Sequence, residues 1–389
     1  MNPFESLQPT LAALSDGPEI LPATGQAQQY LQQFDVDEHY DRVRTEGEKT
    51  VREVLEVRQN RIYIDVPPLP RTSKHLFQYF VDGSVKTFFL GTLVEHDRNT
   101  PVLLGQIGAA AINRDDKGNV QIRSEDFRRE IIVLLNRKQI SSTVWRKAES
   151  TIKDVRTRPP IRLVDTRETD TYNRSKLLGR STEQRSRAAH KANWEMRVLE
   201  TDLLRNLLAR HDESGAYIAI DGSLGKEFSS KEFNRGFVGI VKNFSKDHVF
   251  HLRVRGRRMR LSLFRLLASL EVNNRTLAFA RGDSSVAFWY LRIREQQHLD
   301  YPLMGVMKVE YPNPSRQPLS SDLVDCLSRA LVAERTVTPH GRDQRWHAHL
   351  YPIYLAEQAI KNGFYSDDVL KAGIKWPDLD DRNSTQHRR

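Results

Sequence analysis

The pattern of hydrophobic and polar residues predicts a mixed α/β fold that begins with consecutive strands. Residues 76–95, 102–113 and 131–135 form apolar runs rich in Phe, Val, Ile and Thr, and Pro101 separates the first two runs. Consecutive strands joined by short turns are typical of antiparallel pairing. The run at 131–135 is short enough for either a strand or a helix.

The second half of the chain is predicted to alternate helices and strands. Residues 193–210 place their apolar side chains on one broad stripe, which indicates an amphipathic helix, and a buried strand is predicted at 216–220. The later predicted elements are strands at 276–280, 285–294 and 305–311 and helices at 320–334 and 354–362. Together the elements favour an α/β fold with one central mixed sheet flanked by helices.

Prolines and polar stretches divide the chain into an N-terminal segment and one elaborated domain. Residues 35–57 carry apolar residues at helical spacing, and this predicted helical extension ends before the proline cluster at 67–70. We therefore expect a helical or extended segment at 1–70 and a single domain at 71–378. A polar insertion is predicted at about 146–191, and 379–389 is predicted to be a polar tail.

Composition and charge narrow the class of protein. The 389 residues include 60 Lys and Arg against 50 Asp and Glu, which gives a net charge of +10. Interspersed charges and abundant apolar runs exclude a disordered polyelectrolyte, and the apolar runs are too short to predict a transmembrane helix. The N-terminus lacks the pattern of a secretory signal, so we expect a cytoplasmic protein without membrane association. The positive charge suggests nucleic acid as a partner.

Two Asp-Gly-Ser triplets have similar surroundings. Asp82-Gly83-Ser84 lies within the first apolar run, and Asp221-Gly222-Ser223 follows the predicted strand at 216–220. An Asp-Gly pair usually marks a turn. Two carboxylates at adjacent buried strands would repel each other unless a divalent cation lay between them, and such hard oxygen ligands suit Mg²⁺ or Mn²⁺. Both interpretations remain open from the residues alone.

Two further polar residues have a structural and a functional interpretation. Glu200 lies beside the apolar stripe of the predicted helix, where it can point along the sheet or pair with Arg197 in solvent. Lys242 follows the apolar run 237–241, where it can contact a phosphate or extend into solvent.

Four motifs in order resemble the NurA family of nucleases over residues 76–363. They are FVDGSVKTFFLG with PVLLGQIGAAAINRD, MRVLE, AYIAIDGSL with GFVGIVKNF, and LYPIYL. The resemblance implies an RNase H-like fold, Mn²⁺-dependent (or Mg²⁺-dependent) 5′-to-3′ exonuclease and single-strand endonuclease activity on DNA, a homodimer, and partnership with the hexameric HerA ATPase. It assigns Asp82, Glu200 and Asp221 as metal ligands, and Lys242 and Tyr351 as further catalytic residues.

The chain departs from the family after the Tyr-Pro motif. The family often has a His a few residues beyond it, where this chain has Glu357, Gln358 and Ala359. His347 and His349 lie just upstream, and either they substitute for that His or they form a surface pair. The departure concerns a second metal or a proton transfer rather than the first metal.

An arginine-rich segment is the candidate DNA-contacting surface. No acidic residue occurs between Leu252 and Leu270, and the segment contains Arg253, Arg255, Arg257, Arg258 and Arg260. A strand or hairpin face of this kind either contacts the phosphate backbone or is a solvated charged face.

Two functions follow as hypotheses. The first is a NurA-like nuclease that hydrolyses phosphodiester bonds by two-metal catalysis and works with a HerA-type translocase in DNA end processing or anti-phage defence. The alternative is a catalytically weak DNA-binding subunit that gates or shapes such a translocase. The sequence contains no P-loop pattern, so energy coupling would come from a partner.

Overall fold

The computed structural model describes residues 2–23, 50–51, 53–57, 61–70, 74–167, 184–211, 216–224, 236–254, 257–280, 285–297, 300–336 and 346–376. The helices are α1 (Gln8–Ser15), α2 (Ser142–Lys153), α3 (Gln184–His211), α4 (Leu263–Ala268), α5 (Ser321–Ala333), α6 (Tyr351–Gly363) and α7 (Asp367–Gly373). The strands before α3 are β1 (Glu19–Pro22), β2 (Thr50–Val51), β3 (Tyr63–Asp65), β4 (Phe77–Glu95), β5 (Arg98–Arg114), β6 (Val120–Gln121), β7 (Phe127–Leu135) and β8 (Ile161–Asp165). Those after it are β9 (Tyr217–Asp221), β10 (Phe237–Val241), β11 (Val249–Val254), β12 (Arg257–Ser262), β13 (Asn274–Thr276), β14 (Phe279–Ala280), β15 (Val286–Arg292) and β16 (Val306–Pro312).

One large mixed sheet dominates the described part of the molecule. Its strand order is β3-β13-β15-β16-β10-β9-β4-β5-β7-β8, with β1, β6 and β14 pairing beside this path. Within it, β4, β5 and β7 pair antiparallel, whereas β9 runs parallel to both β4 and β10. The prediction of an α/β fold with a mixed sheet flanked by helices is therefore confirmed.

Helices cover both faces of the central strands, which explains why β4 and β5 are apolar almost throughout. On one face the leucines of α3 pack against Val81, Val85 and Ile107. On the opposite face α6 contributes Ile353 and Ile360 to the core. Because successive residues of a strand point to opposite faces, neighbouring positions on β4 face α3 and α6 in turn.

The N-terminal elements α1 and β1 pack against the large sheet or pair with it. Helix α1 is followed by β1, which pairs antiparallel with the second half of β4. Phe4 and Leu11 are fully buried in a third core cluster together with Trp145 of α2 and Leu370 of α7.

The helix predicted at 35–57 is wrong over its described part. Thr50–Val51 is a strand parallel to β11, and Val54 and Glu56 form isolated bridges to Phe279 and Leu319. The apolar residues that suggested a helical stripe lie here in an extended chain that pairs with other strands. Residues 35–49 lie outside the described residues.

The stretch expected to be a polar insertion contains regular elements. It includes most of α2, strand β8 and the beginning of α3, while 168–183 lie outside the described residues. Strand β8 pairs parallel with β7 at the end of the large sheet. The predicted tail at 379–389 also lies outside the described residues.

Most later predictions match the observed elements. The run at 131–135 belongs to β7, so the strand alternative is confirmed. The predicted strands correspond to β13 and β14, β15 and β16, and the predicted C-terminal helices to α5 and α6. Among the described residues, no helix combines the length and apolarity needed to cross a membrane.

Candidate active site at the ends of β9 and β10

The two Asp-Gly-Ser triplets lie side by side. Val81 pairs with Ile220 in the parallel β4–β9 ladder, so Asp82 and Asp221 are the next residues on adjacent strands. Strand β9 ends at Asp221, whereas β4 continues for another thirteen residues to Glu95. The Asp82 side chain is buried, and the Asp221 side chain is 16% exposed. The sequence motifs thus meet where one of two neighbouring strands stops.

Glu200 reaches this point from α3 because Gly83 leaves room for it. A Cβ atom at Gly83 would lie 2.5 Å from Glu200 Oε1 and 2.1 Å from Met196 Sδ. The Glu200 carboxylate therefore rests on the backbone of β4 at Gly83, on the face covered by α3, whereas the alternation of the strand turns the Asp82 side chain towards the face covered by α6. Gly83 allows the helix to approach the strand closely. It does not mark a turn, because β4 continues through it.

Arg197 links the helix to the second triplet. Its Nη1 lies 3.5 Å from Glu200 Oε2 and donates a hydrogen bond to the backbone carbonyl of Asp221 at 3.4 Å. Gly222 has φ of +91°, and a Cβ atom there would lie 2.3 Å from Arg197 Nη2. Here the glycine is needed both for its backbone conformation and for the approach of the guanidinium.

Lys242 supplies a buried positive charge to the site. It is the residue after β10, and its Nζ lies 2.8 Å from Asp221 Oδ1. The same Nζ lies 3.2 Å from Nε2 of His349, whose side chain is buried. Because an ammonium group only donates hydrogen bonds, the ring nitrogen that it meets is an acceptor. The prediction about His349 stays open, but its side chain is joined to the site through Lys242.

Glu357 is a fourth acidic residue that the sequence motifs did not identify. It lies on α6, with its carboxylate 2.6 Å from Lys361 Nζ. One turn further, Ile360 packs over Gly108, which pairs with Ser84 two residues beyond Asp82. This geometry places Glu357 over the Asp82 region of β4. An i, i+4 Glu–Lys pair is typical of a solvent-facing helix, so its spacing gave no indication of this position.

Charge and burial act together on Asp82. Burial raises its pKa well above the ordinary value, and the charges of Asp221, Glu357 and Glu200 raise the pKa further, while Lys242 lowers it. The charges of three acidic residues from three other elements, β9, α6 and α3, therefore act on the Asp82 carboxyl group. Their mutual repulsion is the cost that a bound cation would relieve.

Glu310 on β16, two strands from β9, holds the second triplet in place. Its carboxylate is fully buried and accepts hydrogen bonds from the Ser223 hydroxyl at 3.0 Å and the Leu224 N–H at 2.8 Å. Lys308 Nζ lies 3.0 Å from the other carboxylate oxygen. The buried ion pair thus fixes the loop that follows Asp221. The sequence motifs do not include Glu310, which lies in a strand predicted without any role in the site.

The carboxylates of the cluster are the type of ligand that binds a divalent cation, but they are not arranged as a complete metal site. Carboxylate oxygens are the ligands that Mg²⁺ and Mn²⁺ prefer. Yet among the described residues no three His, Cys, Asp or Glu side chains are arranged to hold a metal ion. Lys242 instead provides the positive charge beside Asp221. Binding of a cation would require Lys242 and the carboxylates to rearrange.

Tyr351 and His347 have other contacts. Tyr351 is the first residue of α6, is 51% exposed, and places its ring 6.5 Å from that of Tyr354. His347 Nδ1 accepts a hydrogen bond from the Gly305 N–H at 3.0 Å, and its carbonyl accepts one from Arg294. These contacts fix the chain segment that leads to His349.

The arginine-rich segment forms a hairpin. Strands β11 and β12 pair antiparallel, with His251 opposite Arg260 and Arg253 opposite Arg258. Arg258 and Arg260 are exposed. Arg255 and the side chains of Arg253 and Arg257 lie outside the described residues.

No protein-family model and no curated protein matches this chain.

Proposed function

We propose that the protein is a metal-dependent DNA nuclease built on an RNase H-like sheet. The observation that carries the proposal is the placement of Asp82 and Asp221 on adjacent strands, with Lys242 against Asp221 and with the charges of Glu200 and Glu357 acting on Asp82. An acidic residue whose pKa is raised by burial and by neighbouring charges, as at Asp82, is common at functional sites. The NurA-like motifs led to the same residues.

The topology of the central strands supports the RNase H-like assignment. Three strands, β4, β5 and β7, form an antiparallel unit, and β9 and β10 then add in parallel on the other side of β4. The chain between the two groups contains α2, β8 and α3. Asp221 and Lys242 lie at the carboxyl ends of β9 and β10, where open α/β sheets usually bind ligands.

Phosphodiester hydrolysis requires an activated water and stabilisation of negative charge on the phosphate. A bound Mn²⁺ or Mg²⁺ supplies both effects in this class of enzyme. Asp82, Asp221 and Glu200 would hold the cation, and Glu357, in the stretch 357–359 where the family often has a His, would add a fourth carboxylate. Lys242, once it leaves Asp221, would contact a phosphate oxygen and stabilise the developing charge.

DNA is the substrate that the charge distribution favours. The hairpin of β11 and β12 is exposed and basic at Arg258 and Arg260, and phosphate contacts by arginines give affinity without sequence preference. The NurA-like motifs extend the proposal to 5′-to-3′ cleavage, a homodimer and a HerA-type translocase, in end processing or anti-phage defence.

A second candidate is a catalytically weak DNA-binding subunit. Two observations favour it: Lys242 lies against Asp221, and in the described residues no three His, Cys, Asp or Glu side chains are arranged to hold a metal ion. In this alternative the acidic cluster and its lysine would be a structural ion-pair network beside a DNA-binding surface.

Digestion of end-labelled DNA in Mn²⁺, Mg²⁺ or EDTA separates the two candidates. We expect cleavage by the wild type with the cation and none in EDTA. Asp82→Asn, Asp221→Asn and Glu200→Gln should each lose more than about 100-fold in rate, since even residues that only support a metal site cost 10- to 100-fold. Asp202→Asn is the matched control, because Asp202 is an exposed acid on the same helix as Glu200.

Cleavage that survives the substitutions at the cluster would refute the assigned roles. Wild-type protein that binds DNA and remains inert with every cation, with and without a HerA-type ATPase, would support the second candidate.

A further inference from the structure

Two exposed aromatic rings contact each other outside the acidic cluster. Phe264 on α4 is 40% exposed, and Tyr301, in the loop before β16, is 54% exposed. Their ring centroids lie 6.2 Å apart with an interplanar angle of 70°. Large aromatic side chains usually bury most of their surface, so an exposed pair suggests a binding role.

A buried arginine holds the two segments that present these rings. The Arg292 guanidinium is almost inaccessible, and it donates hydrogen bonds to carbonyl groups on both sides. Its acceptors are Leu267 and Leu270 at the end of α4 and Pro302 and Met304 in the loop before β16. These four bonds fix α4 against the loop, so the rings are held in place before any partner binds.

The aromatic pair lies at the same end of the sheet as the acidic cluster. Strand β16 begins beside the end of β10, with Lys308 opposite Val241, so the loop before β16 lies near Lys242. Gly305 in that loop donates to His347, two residues before His349. Strand β16 is two strands from β9, which corresponds to about 10 Å at the usual strand spacing.

The chain around Phe264 is basic, whereas Asp300 directly precedes Tyr301. Arg258 and Arg260 on β12 and Arg265 on α4 are exposed, and the chain has no acid from Leu252 to Leu270. Glu271, just after this stretch, is also exposed. Exposed aromatic rings beside arginines match unpaired nucleic acid, in which bases stack on the rings and phosphates meet the guanidinium groups. In a duplex the faces of internal bases are already stacked and unavailable.

We propose that Phe264 and Tyr301, with Arg258, Arg260 and Arg265, form a stacking surface for the unpaired bases of single-stranded DNA near the acidic cluster. The inference rests on the proposed function for its substrate class. It specifies that the strand delivered to the cluster is single-stranded and that recognition is independent of sequence.

Fluorescence anisotropy in EDTA tests the proposal without cleavage, so its outcome is independent of whether the protein is a nuclease. The probes are a labelled oligothymidylate and a labelled blunt duplex. The variants are Phe264→Ala and Tyr301→Ala, with Phe264→Tyr and Tyr301→Phe as variants that keep the ring. Val272→Ala is the control for an exposed apolar residue outside the pair.

We expect each alanine variant to bind the single strand about 5- to 100-fold more weakly, as loss of one base stack predicts. The ring-keeping variants should bind like the wild type, and the dependence on salt should be unchanged. Arg258→Ala and Arg260→Ala should instead each reduce the slope of log K against log salt by about 0.7.

Three results would overturn the proposal, provided that the variants melt like the wild type. The first is unchanged affinity for the single strand. The second is an equal loss for the duplex, which would indicate an effect on backbone contacts. The third is a change in sedimentation without a change in DNA binding, which would make the surface an interface with a second copy of the chain.

Discussion

Asp82 couples the stability of the protein to pH because its carboxyl group is buried. Its folded-state pKa is raised, so the unfolded chain releases the proton at a lower pH than the folded chain does. The folded state is therefore penalised progressively as pH rises from the ordinary aspartate range to the raised pKa, and the penalty is constant above it. Asp82→Asn removes the charge, so we expect the variant to be the more stable protein at neutral and alkaline pH in EDTA.

The measurement is urea unfolding of wild type and Asp82→Asn across pH. The difference in free energy of unfolding between Asp82→Asn and the wild type should widen as pH rises from the ordinary aspartate range to the raised Asp82 pKa. It should disappear towards acid pH. Glu357→Gln should narrow the gap, because Glu357 is one of the charges that raise the Asp82 pKa. Asp202→Asn, an exposed acid, should show no such trend, and a gap independent of pH would contradict the electrostatic origin.

At the level of single residues, the sequence predicted the residues whose motifs are local and missed those placed by distant elements. Asp82 and Asp221 were recognisable because each acid interrupts or ends an apolar run. Glu357 and Glu310 join the site only through the packing of α6 and the pairing of β16 with β10. Neither relation leaves a pattern in the sequence near the residue itself.

At the scale of helices and strands, the close approach of α3 to β4 depends on Gly83, which has no side chain. In Gly83→Ala the added methyl group would meet Met196 Sδ and Glu200 Oε1, both at the flexible ends of their side chains. Because these ends can move, we expect a cost of only about 1–2 kcal/mol in the free energy of unfolding. Displacement of Glu200 should reduce cleavage much more strongly than it reduces stability.

Urea unfolding and the digestion assay, carried out on the same protein samples, test whether Gly83→Ala affects cleavage more strongly than stability. Met196→Ala alone should be less stable than the wild type, because it removes a buried side chain. In that background Gly83→Ala should cost less further stability than it costs the wild type, since one of its two contacts is gone, while the loss of cleavage should persist. If Gly83→Ala left cleavage unchanged in the Met196→Ala background, the position of Glu200 would not be important for cleavage.

Helices and strands with a strong hydrophobic period were predicted from the sequence. Short strands that form only by pairing with a distant strand were not. The leucine stripe of α3 and the apolar runs of β4 and β5 bury faces that periodicity reveals. Thr50–Val51 and β8 are too short to show a period, and they become strands because they pair with the edges of β11 and β7.

At the scale of the whole molecule, the acidic cluster lies at one end of β4 and the third core cluster packs against its other end. Helices α1, α2 and α7 form the third core cluster against the distal part of β4 and β5. Trp376 Nε1 donates to the carbonyl of Leu90, eight residues beyond Asp82 along β4. Substitutions in this cluster should therefore change stability without changing the chemistry of the site.

This separation gives a test of cation binding that does not depend on activity. A cation that binds only the folded protein stabilises it by about 2.7 kcal/mol at a concentration of 100 times Kd. We expect Mn²⁺ to raise the melting temperature of the wild type and to leave Asp82→Asn and Asp221→Asn nearly unchanged. Leu11→Ala, which removes a fully buried side chain of the third cluster, should lose about 2–5 kcal/mol and still gain the same increment from Mn²⁺. Equal gains in all four proteins would place the cation elsewhere, and no gain in any of them would favour the DNA-binding subunit over the nuclease.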